Sequence, residues 1–381
     1  MYSLSAYGSM IKDRIRTDAY AQALRQTIKP GAVVLDIGTG SGILALLACR
    51  FGARKVYAIE PDDIIEVARE IARANGYADR IEFIQDRSTR VTLPERADIV
   101  VSDLRGLLPL FQQSVASLLD VRRRLLAPGG AMIPQRDTLW AATVEAPGVY
   151  RDLRNPWEDN SYGFDMRAAR VRAMNSFSKS SRIASASLLT APESWATLDY
   201  RVLESVNACG EVKTIAVRSG VAHGWAVWFD TVFADGIGFS NAPDLPEAIY
   251  GRTFFPWSEP VCVNAGDFIC GHLRADVVGD EYVWSWDTTV ADGEGQIKAS
   301  FRQSSFYGDQ ISLGKLKKRA PGFLPATNDD GEVLCFALRL MNGSTPLEGI
   351  ANQVRERFPS RFTTPREALS YLGGLSEVFS R

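Results

Sequence analysis

Val33-Val34-Leu35-Asp36-Ile37-Gly38-Thr39-Gly40-Ser41-Gly42-Ile43-Leu44 sets an apolar run against an acidic residue, three glycines at alternate positions and the start of a helical pattern. The stretch reads as a buried strand turning tightly into a helix. Glycine lets a backbone approach a ligand closely, and a helix N-terminus offers unpaired N–H groups. A plain tight turn has the same look, so the context decides. About twenty residues on, a second strand, Lys55-Val56-Tyr57-Ala58-Ile59, ends in Glu60, an acidic residue placed to take ribose hydroxyls.

Strands and helices continue to alternate up to about Pro134. Glu66 to Asn75 is helical in pattern, Ile81-Glu82-Phe83-Ile84-Gln85 a strand, and Ala97-Asp98-Ile99-Val100-Val101-Ser102-Asp103 another. Such alternation predicts a parallel sheet covered by helices, with ligands at the carboxyl ends of its strands. Asp36, Glu60, Asp86 and Asp103 all fall at or just past such ends. Ahead of the first strand, Ile11, Ile15, Ala19 and Ala23 recur every fourth residue, which predicts one amphipathic helix from Met10 to about Ile28. From Asp137 the pattern turns to short apolar stretches such as Trp225-Ala226-Val227-Trp228-Phe229 and Tyr282-Val283-Trp284-Ser285-Trp286, the mark of an antiparallel β domain.

The totals narrow the function classes. A chain of 381 residues suffices for two or three domains, and its 46% hydrophobic and 23% charged residues are those of a soluble globular protein. A formal net charge of −2 gives no bulk attraction to nucleic acid or to anionic membrane. The absence of a transmembrane-length apolar run and of an opening signal peptide predicts a cytoplasmic location. Five scattered cysteines (Cys49, Cys209, Cys262, Cys270 and Cys335) read as reduced thiols, and His223 and His272 show no metal-ligand spacing. No metal and no Ser-His-Asp triad are expected.

The form Asp36-Ile37-Gly38-Thr39-Gly40-Ser41-Gly42 resembles the D-x-G-x-G-x-G loop of class I S-adenosylmethionine-dependent methyltransferases rather than the G-x-G-x-x-G of nicotinamide enzymes. Leu126-Ala127-Pro128-Gly129-Gly130 closing a helix, then Ala131-Met132-Ile133-Pro134 as a strand, agree with that likeness. Met10-Ile11-Lys12-Asp13, Arg16-Thr17 and Tyr20 further resemble the N-terminal helix of the protein arginine methyltransferases. The resemblance implies S-adenosyl-L-methionine as cofactor, with Arg16 pairing to its carboxylate. Met10, Asp36, Gly38, Gly40, Gly42, Glu60, Pro61 and Ser88 complete the implied donor site, and Tyr2 and Tyr7 stand for the family's aromatic lid. It also implies a β-barrel after the donor domain. Asn160 and Tyr162-Gly163-Phe164-Asp165-Met166 resemble the entry to a dimerisation arm at about 155–187, so a homodimer is expected. Thr253-Phe254-Phe255-Pro256 resembles a barrel strand near the active site.

The pattern departs from the family where the acceptor binds. Two glutamates about nine residues apart are expected there to grip a guanidinium, and the matching positions are Asp103 and Gln112 in Ser102-Asp103-Leu104-Arg105-Gly106-Leu107-Leu108-Pro109-Leu110-Phe111-Gln112. The family's Thr-His-Trp loop falls at Ala248-Ile249-Tyr250. An amide holds a cation less well than a carboxylate does, because a hydrogen bond to a charged group contributes about 1.5–3 kcal/mol against roughly 1 for a neutral one. Arg105 either adds a repelling charge or faces solvent. The expectation is a methyltransferase with Asp103 and Gln112 as catalytic-loop residues and a divergent acceptor, a peptide, small molecule or natural-product precursor. An active protein arginine methyltransferase and a non-catalytic donor-binding scaffold stay open.

The tail carries two helix openings, Thr345-Pro346-Leu347-Glu348 and Thr364-Pro365-Arg366-Glu367, each with threonine, proline and glutamate in capping-box order. Gly331-Glu332-Val333-Leu334-Cys335-Phe336 reads as a strand running into a helix. Together these suggest a winged helix, and Ala320-Pro321-Gly322 with Leu340-Met341-Asn342-Gly343-Ser344-Thr345 resembles the peptide-chaperone domain of pyrroloquinoline quinone biosynthesis, which implies capture of a precursor leader peptide. A structural cap is the other reading, and no basic run marks a nucleic-acid-facing helix. The expected architecture is a Rossmann-like α/β domain over residues 1–135, an antiparallel β-barrel over 136–308, and a winged-helix-like α+β domain over 309–381.

Overall fold

Five parallel strands carry the glycine turn in the computed structural model, which describes residues 2–159 and 162–380. They are β1 (Val33–Ile37), β2 (Lys55–Ile59), β3 (Ile81–Ile84), β4 (Ala97–Ser102) and β5 (Leu126–Ile133), in the order β3-β2-β1-β4-β5. β1 is buried along its whole length, as an apolar strand covered on both faces must be. Chain order reverses on either side of β1, since β2 and β4 flank it, and the crevice between their carboxyl ends is where such sheets bind ligands.

The helices are α1 (Leu4–Lys12), α2 (Arg14–Thr27), α3 (Ile43–Arg50), α4 (Ile64–Ala74) and α5 (Ser114–Arg124). The single N-terminal helix expected from the apolar period is two. Asp13 leaves the helical conformation and its side chain accepts from the Arg16 N–H, so it caps α2 and ends α1. Leu126–Gly130, expected to close a helix, already belongs to β5.

Two antiparallel sheets follow. One holds β6 (Arg136–Val144), β7 (Ser178–Ser180), β8 (Glu193–Asp199), β10 (Gly220–Ala234) and β12 (Arg252–Val263), with β11 (Ile237–Ser240) paired to β10. The other holds β9 (Ala208–Ile215), β13 (Phe268–Val278), β14 (Glu281–Ala291) and β15 (Ile297–Phe301), in the order β15-β14-β13-β9. Trp225, Trp257, Trp284, Trp286 and Phe255 fill the space between them. Trp225 Nε1 donates to Thr288 Oγ1 at 2.9 Å and Trp286 Nε1 to the Pro256 carbonyl at 2.9 Å, so each indole both packs and bridges the sheets.

The segment expected to form an arm follows α6 (Pro147–Arg154) and contains α7 (Arg167–Ala173), with Tyr162 83% exposed. Asn160, named with it, lies outside the described residues. Arg154 and Arg170 both pair with Glu158 and Glu259, which fastens the base of this segment to β12.

The described chain falls into two compact units, Met1–Asp309 and Gln310–Arg381. The first includes both sheet regions and ends with α8 (Ser305–Gly308). The second is the exposed α9 (Leu313–Lys318), then α10 (Asp329–Leu340), α11 (Leu347–Arg357) and α12 (Pro365–Phe379) around Val333, Ala337, Ile350, Val354, Phe362 and Leu372. It holds no strand among the described residues, which corrects the winged-helix expectation. The stretch read as a strand, Gly331–Phe336, is the first half of α10, opened by an Asn328 cap and by Asp329, Asp330 and Glu332 at the positive end of the helix dipole. The Thr364–Glu367 capping box forms. The Thr345 box does not, because α11 starts one residue later behind Pro346.

All eight tryptophans fall between Trp140 and Trp286, so indole fluorescence follows the first unit alone. Trp225→Ala removes a fully buried ring and its inter-sheet hydrogen bond, and is expected to destabilise that unit by about 3–5 kcal/mol. Guanidinium unfolding followed by fluorescence measures this. A loss below about 1 kcal/mol contradicts the role given to the indole.

Candidate active site

The turn after β1 is shaped by the glycines. Gly38, Gly40 and Gly42 have φ of 68°, 54° and 87°, the left-handed region that a Cβ disfavours. A Cβ on Gly38 would lie 2.5 Å from Leu104 Cδ2, and one on Gly40 2.6 Å from Tyr7 Cε1. The Tyr7 ring thus covers the turn, as a lid residue does, and Tyr2 packs edge-on against it. Gly42 has another task. Its Cβ would meet Ala68 at 3.1 Å, so it lets α3 start tightly beside α4.

Glu60 reaches across from the end of β2 and accepts from the Gly40 N–H at 3.0 Å and the Asp62 N–H at 3.1 Å. Burial raises its pKa, and those two N–H groups oppose the rise. Asp36 lies beneath the turn with no exposure. Thr39 Oγ1 donates to its Oδ2 at 2.6 Å. Burial, only partly offset by Thr39 and the Ala45 N–H, pushes its pKa up to about 7.

Asp103, just past β4, is held from three sides. Arg16 Nε donates to Oδ2, Arg105 Nη1 to Oδ1 at 3.1 Å, and the Tyr250 hydroxyl lies 2.7 Å from both oxygens. Burial alone would raise its pKa, but the two guanidinium groups and the phenol hold it below the usual carboxylate range. Arg105 continues the network. Its fork meets Asp137 at 2.8–3.2 Å, and it donates to Tyr20 Oη at 2.8 Å and Thr231 Oγ1 at 2.9 Å. Tyr200 Oη donates to Asp137 at 2.7 Å. Arg105 is therefore neither solvent-facing nor a free charge repelling an acceptor, and both expectations are corrected. It is buried, and two carboxylates neutralise it.

One cavity of about 1230 Å³ joins these parts. Of the expected site residues, Met10, Arg16, Gly38, Gly40, Glu60, Pro61, Ser88, Asp103 and Gln112 line it. Asp36 and Gly42 do not, and support the turn from behind. Gln112 is exposed at the mouth with φ of 46°. Asp137 is a site residue that sequence reasoning passed over, while Asp13, Tyr20 and Tyr250 were named there only within motifs and given no role. At the position of the missing histidine the backbone acts instead, as the Ile249 N–H donates to Asp13 Oδ2 at 2.7 Å. A buried Asp137 at the start of β6 was the one available signal, because a buried carboxylate requires a cationic partner.

A family model for ribosomal protein L11 methyltransferase matches residues 16–134, and one for the arginine methyltransferase oligomerization subdomain matches 135–280. The probable protein arginine N-methyltransferase 6 of Arabidopsis thaliana is 34% identical over 59% of this chain and 53% of its own. The chain thus spans about half the length of that relative. Protein arginine N-methyltransferase PRMT10 of Oryza sativa subsp. japonica is 32% identical over 68% of this chain and 77% of its own. Among solved structures, an open conformation of Arabidopsis thaliana protein arginine methyltransferase 10 superposes with a TM-score of 0.71 at 24% identity, covering 79% of this chain and 97% of that one. The Trypanosoma brucei PRMT1 enzyme-prozyme complex with AdoHcy gives 0.73 at 23% identity, covering 79% and 98%. At these identities the superpositions speak for the fold.

The raised pKa of Asp36 has a definite sign for stability. A folded-state pKa of about 7 against an ordinary 3.8 means that ionisation penalises the folded state. The contribution is full below about pH 4 and is lost as pH rises through 7. Asp36→Asn keeps the acceptor for Thr39 and removes the charge, so the variant should gain stability relative to the parent as pH rises from 4 to 8. Urea midpoints across that range test this, and parallel curves would count against it.

Proposed function

The chain belongs to the protein arginine N-methyltransferase family, and we propose that it is an S-adenosylmethionine-dependent methyltransferase acting on arginine side chains of proteins or peptides. The observation that carries the reading is the single cavity running from the Glu60-braced glycine turn to the carboxylate of Asp103. The residues suit the methyl donor. Gly38 and Gly40 present bare backbone to the cavity, Glu60 offers carboxylate oxygens for a ribose diol, and Arg16 offers a fork for a carboxylate. Bound there, S-adenosylmethionine would supply a methyl group on a cationic sulfur. The protein aligns an acceptor nitrogen, excludes water under Tyr7 and Tyr2, and holds the acceptor by Asp103, which Tyr250 orients.

A second reading, a non-cationic acceptor, is favoured by one feature. Gln112 stands where a carboxylate is expected, and the charge of Asp103 is already shared by Arg16 and Arg105. The two readings separate on one variant. With labelled donor and arginine-rich peptides, Gln112→Glu should raise methylation of guanidino nitrogens severalfold if arginine is the acceptor, and Asp103→Asn should lower it by about 10² or more. Loss of activity in Gln112→Glu, with no methylarginine from the parent, sinks the arginine reading. Gly40→Val and Glu60→Ala should each weaken S-adenosylhomocysteine binding tenfold or more, about 1.4 kcal/mol by calorimetry. Unchanged affinity in both would remove the donor assignment.

The match of residues 135–280 to an oligomerization subdomain, with exposed Tyr162 and Val171 on the arm, supports a homodimer. Light scattering should give twice the 41.9 kDa chain mass. Tyr162→Asp should shift the parent toward monomer and lower turnover. A fully active monomer at working concentration goes against the proposal. A leader peptide remains a proposed ligand for the helical second unit.

A further inference from the structure

Away from the cavity, β9 and β13 bring a side chain from one strand beside two from the other. Glu211 stands opposite His272 in the ladder, and Cys270 lies two residues from His272 on the same face. Cys270 Sγ is 3.4 Å from Glu211 Oε1 and 4.0 Å from His272 Nε2, and His272 Nε2 is 3.4 Å from Glu211 Oε1. Around a tetrahedral zinc with bonds of about 2.0–2.3 Å, such ligand atoms stand roughly 3.4–3.6 Å apart. The triangle formed by sulfur, nitrogen and oxygen is thus within about half an ångström of one face of a zinc tetrahedron on every edge.

We infer that Glu211, Cys270 and His272 form a binding site for a borderline divalent cation of the zinc class on the outer face of the β9–β13 ladder. The donor set selects the ion. Thiolate and imidazole disfavour magnesium and calcium, which take oxygen ligands, and favour zinc or cobalt. Lys213 Nζ holds the second oxygen of Glu211 at 2.6 Å, which turns Oε1 toward the other two ligands and supplies the outer hydrogen bond that ligating carboxylates commonly have. The fourth position falls to water. On binding, the Cys270 S–H bond gives way to a sulfur–metal bond and the proton leaves to solvent. The ion then ties the edge strand β9 to β13, since the order β15-β14-β13-β9 leaves β9 with only one partner in its sheet.

The test uses the full-length chain without an affinity tag, freed of metal by chelation. Cobalt(II) should give thiolate-to-cobalt charge-transfer absorption and tetrahedral visible bands, titrating to one ion per chain. Zinc should displace it, and magnesium and calcium should not. Cys270→Ser should abolish the charge-transfer band. His272→Ala and Glu211→Gln should each weaken zinc at least tenfold, and saturating zinc should raise the melting temperature of the parent but not of Cys270→Ser. The exposed Cys209 on β9, two residues from Glu211, is the control, and Cys209→Ser should leave every signal in place. The ligands sit at the surface, so the variants should keep the parent's circular dichroism. Absence of the charge-transfer band, its survival in Cys270→Ser, or equal competition by magnesium overturns the proposal.

Discussion

The carboxylate of Asp103 is shared by two guanidinium groups and a phenol, and much of the first unit is arranged to make that sharing permissible. A buried, unpaired carboxylate is too costly to persist, and so is a buried, unpaired arginine. Arg16 arrives from α2, Arg105 from the loop after β4, Tyr250 from the loop before β12, and Asp137 from the start of β6. The network therefore links the donor domain to the antiparallel sheets through charge balance rather than apolar contact alone. Removing one member would strand its partner's charge, a loss that for buried pairs is about 3–5 kcal/mol.

The same balance bears on chemistry. A carboxylate kept ionised by two arginines is well ordered but has little negative potential to spare. Arg16 both pairs with Asp103 and lines the cavity that also reaches the glycine turn. Tyr250 completes the same group from the tight turn Ala248–Gly251 just ahead of β12, so that turn is part of the site and not only a link between strands.

The second unit differs in kind. Its last three helices close a core of their own, and its cap signals are local: an asparagine before three acidic residues on α10, and a threonine–glutamate box on α12. The zinc-class site proposed on β9 and β13 is the opposite case, because no local signal marks it.

What the sequence determined by itself was whatever short-range physics dictates. The alternation of apolar strand, glycine turn and helix placed β1, the parallel sheet and Glu60, since a buried strand and a positive-φ turn each restrict the residues allowed in them. The helices of the tail were partly legible through their caps, but Gly331–Phe336 was misread as a strand. Its β-type residues form a helix because a cap, a favourable dipole and an apolar face against α11 and α12 outweigh propensity. Tertiary structure alone decided the partners of charge. Nothing within reach of Arg105 along the chain foretold that its fork would meet Asp137, or that a tyrosine near 250 would reach Asp103. Likewise Glu211 and His272 lie sixty-one positions apart, and only strand register sets them side by side. Hydrophobic periodicity is written in neighbouring residues, whereas charge pairing and ligand geometry are written between strands, where chain order carries no distance.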